Sequence, residues 1–202
     1  METSKKVWIW MNTSLSMKYK NSPNHETKAE RASIIGIILI DIFIRAGESV
    51  GIIGSKLGLR NGKENFFNLV NVFLKCVKDP RDKRIKKGDI IILISDFLEK
   101  PEKSISKITM ISDNIKEGIL IQTLDESEIN FPFFGRNQFY DPLSGLHKLF
   151  NKSEVIKKSY IKKVKEHNRK LEILCSRFGW TVFRTVSNES YNSFIKNLYN
   201  RF

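Results

Sequence analysis

Short runs of consecutive apolar residues alternate along this chain with longer stretches of helical periodicity. Val7 to Met11 (VWIWM) is unbroken and rich in β-branched and aromatic residues, the pattern of a strand covered on both faces. After polar punctuation through Asn12, Ser14 and Ser22-Pro23-Asn24, residues 28–46 predict an almost wholly apolar helix, stopped by Gly47. Ser49 to Ile53 predicts a second strand, with Gly54-Ser55-Lys56 turning it back through Leu57-Gly58-Leu59. Phe66, Phe67, Val70, Phe73, Leu74 and Val77 repeat at i, i+3/i+4 and predict an amphipathic helix over 64–77. A basic loop over 80–87 leads into Ile90 to Ile94, the strongest strand, which ends at Ser95-Asp96. A helix over 103–115 and a strand over 119–124 follow, then a long irregular stretch with Pro132, Gly135, Pro142 and Gly145. A lysine-rich helix is expected over 153–178, ended by Gly179, then a strand over 181–185 and a helix over 190–199.

Apolar strands alternating with helices predict one doubly wound α/β domain over residues 1–202, its sheet mostly parallel and covered by helices on both faces, as in Rossmann-like folds. Such sheets bind ligands outside the carboxyl ends of their strands, where strand order reverses. Asn12 to Ser16, Gly54-Ser55, Ser95-Asp96 and Asp125 to Glu128 therefore become the residues to question.

The 202-residue length suits one domain. Lys and Arg outnumber Asp and Glu by 35 to 22, a net charge of +13 that attracts anionic partners non-specifically. Ala32 to Ile44 is too short for the ~20 residues of a bilayer span, and Asp41 interrupts it, so no transmembrane segment is expected. Cys76 and Cys175 make no disulfide framework, and no secretory leader opens the chain. The expected location is cytoplasmic, with contact to the inner membrane at most peripheral.

Enzymatic motifs find little purchase. Gly58 to Glu64 is one residue short of a phosphate loop and puts a glutamate where the Mg²⁺-binding hydroxyl belongs. No nucleophile elbow is present. His25, His147 and His167 are all expected away from the strand tips, and both cysteines are expected inside helices as buried thiols. What remains is an oxygen-rich cluster: Asn12, Ser14 and Ser16 after the first strand, and Ser95 and Asp96 after the central one. Serine hydroxyls with a carboxylate suit a hard cation that keeps several waters. Equally, Asp96 with Glu99 makes a helix-capping pair, and the serines can satisfy turn amides. Asp96, Asp125 and Glu128 together would be the carboxylates of a metal-dependent phosphoesterase, for which a solvated loop is an equal explanation.

The segments VWIWMNTSLSM, KAERASIIGIILIDIFIRAGESVGIIG and DIIILISDFLEKPE resemble the bacterial domain of unknown function numbered 58, which has a domain similar to von Willebrand factor type A. ILIQTLDESEINFPFFG and the ending KSYIKKVKEHNRKLEILCSRFGWTVFRT also look like that family, so the resemblance runs from about Val7 to Leu198. It implies a metal-ion-dependent adhesion site built on an Asp-x-Ser-x-Ser loop, completed by a threonine and an aspartate from two other loops. Ser14, Ser16 and Asp96 fall on matching positions, but Asn12 replaces the first aspartate and no threonine occurs between Thr27 and Thr109. Losing that unit charge at 4 Å forgoes roughly 4 kcal/mol at an effective dielectric near 20. A weak or vestigial Mg²⁺ site is therefore expected.

The family association implies a non-enzymatic adaptor or co-chaperone acting with a MoxR-type AAA+ ATPase, with Asn12, Ser14, Ser16, Asp96 and Asp125 meeting the partner. The family's usual segment upstream of the first strand is expected to be missing here. The rival expectation is a basic nucleic-acid or acidic-membrane binder, using Lys157, Lys158, Lys162, Lys163, Lys165, Arg169 and Lys170 on one helix and the 80–87 loop. That loop precedes the central strand, so it is expected at the end of the sheet opposite the tip cluster.

Overall fold

The computed structural model of the chain describes residues 4–75, 80, 82–99, 115–141 and 144–199. Five parallel strands form the central sheet: β1 (Lys6–Met11), β2 (Ser49–Ile52), β3 (Asp89–Ser95), β4 (Ile115–Leu124) and β7 (Thr181–Val186), in the order β2-β1-β3-β4-β7. Two further strands, β5 (Asn137–Tyr140) and β6 (His147–Phe150), pair antiparallel as a separate hairpin. The helices are α1 (Lys28–Arg45), α2 (Phe66–Phe73), the short α3 (Glu126–Asn130), α4 (Lys157–Arg177) and α5 (Tyr191–Tyr199).

The unbroken apolar strands are explained by the two cores they feed. Val7, Ile9 and Met11 join Ile90, Ile92 and Ile94 under α1, α2 and α5, while Trp8 and Trp10 join Ile91 and Leu93 under α4. Strand side chains alternate between faces, so the middle of a strand covered on both sides, as in β1 and β3, is apolar at every position. Gly36 on α1 is part of this packing, since a Cβ there would lie 2.1 Å from the ring of Phe73 on α2. The apolar helix is thus the central core helix of the sheet; no helix among the described residues is long and apolar enough to cross a membrane.

Several expected elements shift. The return after β2 is made by a single antiparallel bridge, Val50 to Arg60, not a hairpin through 57–59. Helix α2 stops at Phe73, and the rest of the 64–77 expectation from Cys76 onward lies outside the described residues. So does the helix expected over 103–115, except Ile115, which opens β4. The stretch read as irregular contains α3 and the β5–β6 hairpin. The described part of the basic loop is not confined to the far end of the sheet: the Asp82 carboxylate accepts from the Gly54 amide after β2, and Arg84 lies over the Trp8 ring. Burial acts to raise the pKa of Asp82, but Arg84 and the amides of Gly54 and Arg84 overcome it and hold the carboxyl at about 2.

Candidate functional site at the strand tips

Strand order reverses between β1 and β3, since the chain moves from β1 to β2 on one side and then to β3 on the other. Their carboxyl ends therefore open a crevice, and the two loops predicted to converge there do so. The Asn12 amide N–H donates to the Ile94 carbonyl at 2.8 Å, and Asn12 Nδ2 donates to Ser95 Oγ at 2.9 Å. Asn12 Oδ1 accepts from the Ser14 amide, and the Ser14 and Ser16 hydroxyls lie 3.0 Å apart. Asp96 stands beside them, 3 % exposed.

Asp96 does not cap a helix with Glu99; it holds a lysine. Lys28, the first residue of α1, is 1 % exposed, and its Nζ lies 2.9 Å from Asp96 Oδ2 and 2.7 Å from Glu128 Oε1. Position explains the burial. Residues 28, 32, 35 and 39 share one face of α1, and Ala32, Ile35 and Leu39 are core residues, so the helix carries Lys28 inward at its mouth. Thr27 fixes the start of α1 by a capping box, its hydroxyl accepting from the Glu30 amide while the Glu30 carboxylate accepts from the Thr27 amide. Burial acts to lower the pKa of Lys28, but the Asp96 and Glu128 carboxylates more than offset it, and the ammonium persists beyond the usual lysine range. Burial, with the charge of Asp96, raises the pKa of Glu128 despite the pairing with Lys28.

Asp125 stands behind this trio. It is wholly buried and caps α3, its Oδ1 accepting from the Ser127 amide and hydroxyl while its Oδ2 accepts from the Asn21 amide at 3.3 Å. Ser127 in turn bonds the Tyr19 hydroxyl. Asp125 thus positions Glu128 through the capping box of α3. His167, expected away from the tips, is at the site: its Nε2 lies 2.6 Å from the Phe97 carbonyl just past Asp96.

Above the polar floor is a cavity of about 770 Å³. Asn12, Ser14, Ser16, Lys28, Asp96 and Glu128 line its base, and aromatic rings form its walls. Phe131 contacts Phe133, Phe139 and Tyr160 at centroid distances of 5.1, 5.6 and 4.8 Å, and Phe139 meets Phe150 at 5.8 Å. Two of the phenylalanines that frame the site, Phe97 and Phe131, hold left-handed backbone conformations at φ 48° and 45°, which bulky residues rarely adopt. The volume and the mixture of apolar walls with a few convergent polar groups match those of ligand sites generally.

Two of the side chains matched to the divalent-cation site that the family resemblance implies have other partners here. The carboxylate that would face the ion, Asp96, is paired with an ammonium, and the Asn12 oxygen is turned onto its own loop. Among the described residues no three His, Cys, Asp or Glu side chains converge as a metal would need. Cys175 is buried in α4, and burial, with the charge of Glu172, pushes its thiol up to about 12, so it is not a poised nucleophile.

The architecture defines a class, an α/β protein whose strand-tip crevice is walled by an added aromatic hairpin. The chain belongs to the DUF58 family of proteins of unknown function, whose pattern matches residues 1–170. It is similar in fold to the conserved hypothetical protein BatB from Bacteroides thetaiotaomicron, with 14 % identity, a TM-score of 0.53 and coverage of 98 % of this chain and 96 % of that one. An aerotolerance-related membrane protein from Bacteroides fragilis matches at 15 % identity and a TM-score of 0.47, covering 98 % of each chain. No curated protein matches the sequence.

Proposed function

We propose that the chain is a non-enzymatic protein-binding module of the von Willebrand factor A type, in which the strand-tip cavity receives a segment of a partner protein. The observation that carries this reading is the cavity itself: hydroxyls and an amide at its base, aromatic walls, and carboxylates already engaged by Lys28. Aromatic walls bind an apolar side chain, and Ser14, Ser16 and Asn12 offer its backbone both donors and acceptors. Asp125 contributes by fixing Glu128, not by touching the partner. Asp125 caps a helix while Asp96 and Glu128 hold the ammonium, which supports a binding role for this site over a phosphoesterase one.

In this reading Lys28 supplies the positive charge that a divalent ion supplies in an intact adhesion site, so Mg²⁺ binds weakly or not at all. The partner that the family resemblance suggests is a MoxR-type AAA+ ATPase, the chain serving as its adaptor. The test is a binding assay between the purified chain and such an ATPase. Wild-type protein should bind, and Asn12→Ala/Ser14→Ala/Ser16→Ala should lose binding while melting normally. Absence of wild-type binding would remove the ATPase as partner, and full binding by the triple variant would move the interface off the strand tips.

A further inference from the structure

The side of the β5–β6 hairpin turned away from the aromatic cluster has a composition unusual for a free surface. Strand alternation sends Phe139 and Phe150 inward onto that cluster and leaves Leu149 outward, 52 % exposed, while Tyr140 at the strand end is exposed and also borders the cavity. At the turn, Leu146 is 71 % exposed, its carbonyl accepting from the Asp141 amide. At the base, Phe134 is 80 % and Val155 73 % exposed. These two are brought close because the Gly135 amide donates to the Glu154 carboxylate and the Ser153 amide donates to the Gly135 carbonyl. Large apolar side chains thus run from the base of the hairpin to its turn.

Charge distinguishes this strip from an ordinary sticky patch. Between Phe134 and Lys158, four basic residues off the cavity, Arg136, Lys152, Lys157 and Lys158, stand against only Asp141 and Glu154, while Lys148 shares the inward face with Phe139 and lines the cavity. All four are exposed, and Glu154 is engaged by the Gly135 amide. Exposed apolar side chains interspersed with lysines are what the interface of an anionic bilayer selects, since rings and aliphatics enter the acyl boundary while ammonium groups remain among the phosphates. Helix α4 carries further exposed lysines, Lys162 and Lys165.

We propose that the β5–β6 hairpin and the first turn of α4 form a docking surface for an anionic lipid bilayer. Phe134, Leu146, Leu149 and Val155 insert, and the flanking lysines and Arg136 meet the headgroups. The inference is independent of the partner-binding reading, because none of the four inserting side chains lines the cavity.

Co-sedimentation with vesicles tests it, using phosphatidylcholine alone and with about 30 % phosphatidylglycerol. The whole chain should pellet with the anionic vesicles and stay in solution with the neutral ones. Phe134→Ser/Leu146→Ser/Leu149→Ser changes only exposed positions and should lower partitioning at least tenfold. Lys152→Gln/Lys157→Gln/Lys158→Gln should lower it about a hundredfold, at roughly fivefold per charge. A Phe134→Trp variant should show a blue-shifted emission with anionic vesicles alone. No binding to anionic vesicles overturns the proposal. So does binding that the serine variant retains in full, which would mark a merely electrostatic attachment.

Discussion

Two cations are buried one turn apart on α1, and they are held in different ways. Lys28 meets two carboxylates that are themselves enclosed, with Asp96 and Glu128 side chains 4 % and 15 % exposed. Arg31 is wholly buried too, but its partners reach in from the surface. Its Nη1 donates to Glu26 and to the Glu189 carbonyl, its Nε donates to Thr185, and its plane lies 4.6 Å from the Tyr191 ring. Arg31 ties α1 to β7 and α5 and does not line the strand-tip cavity, whereas Lys28 does. The comparison separates a cation used as structural glue from one placed at the floor of a cavity. The first meets several partners, two of them carboxylates that water also reaches, and leaves its Nη2 without a hydrogen bond among the described residues, 3.7 Å from Glu189; the second neutralises carboxylates that would otherwise stand unpaired beneath the cavity.

Removing each charge should show the difference. Lys28→Met strands two enclosed carboxylates and should cost about 3–5 kcal/mol of unfolding free energy in denaturant titration. Adding Asp96→Asn to that variant should recover part of the loss, since it removes one of the stranded charges. Arg31→Met leaves Glu26 and Glu189 free to rehydrate, and should cost less, about 2 kcal/mol. Equal losses for the two would erase the distinction. A lesser effect is expected at Asp82, which lies at neither cation. Its folded pKa of about 2 is below the ordinary value of 3.8, so its contribution is present above pH 4 and disappears as pH falls toward 2. Asp82→Asn should therefore lose about 1 kcal/mol at neutral pH, allowing for solvent around Arg84, and flatten the acid limb of the stability profile.

Alkaline pH sharpens the comparison in its own way. Lys28 has a folded pKa above its ordinary 10.5, so its contribution is complete below that pH and is lost as pH rises through the folded value. A shallow alkaline fall in melting temperature beginning above pH 10.5 should be steeper in the wild type and Arg31→Met than in Lys28→Met, because the half-buried Tyr19 and Tyr160, also raised above their ordinary values, add to the fall in all three.

Much of the sheet was legible because the middle of a strand buried on both faces, as in β1 and β3, is apolar at every position, so these two stand out as unbroken apolar runs. The convergence of Asn12 to Ser16 with Ser95-Asp96 was legible for the same reason, as parallel neighbours must bring their tips together. The roof was not. Strand β5 has only four residues, and its inward positions are Asn137 and Phe139, too short an alternation to rise above the surrounding Gly and Pro. Helix α3 is five residues long and announces itself only through the Asp125–Glu128 capping pair, which reads equally as a solvated acidic loop. In sequence Lys28 reads as one of several charges, with Glu30, Arg31 and Arg45, at the ends of an apolar helix. Its signal was phase: it shares a face with Ala32, Ile35 and Leu39, where a solvated lysine would not be placed.

The account rests on Lys28 filling the place of a cation, and a calorimetric titration with Mg²⁺ tests it most directly. Wild-type protein should give no binding heat below millimolar concentrations. Micromolar affinity that vanishes in Asp96→Ala would contradict the account.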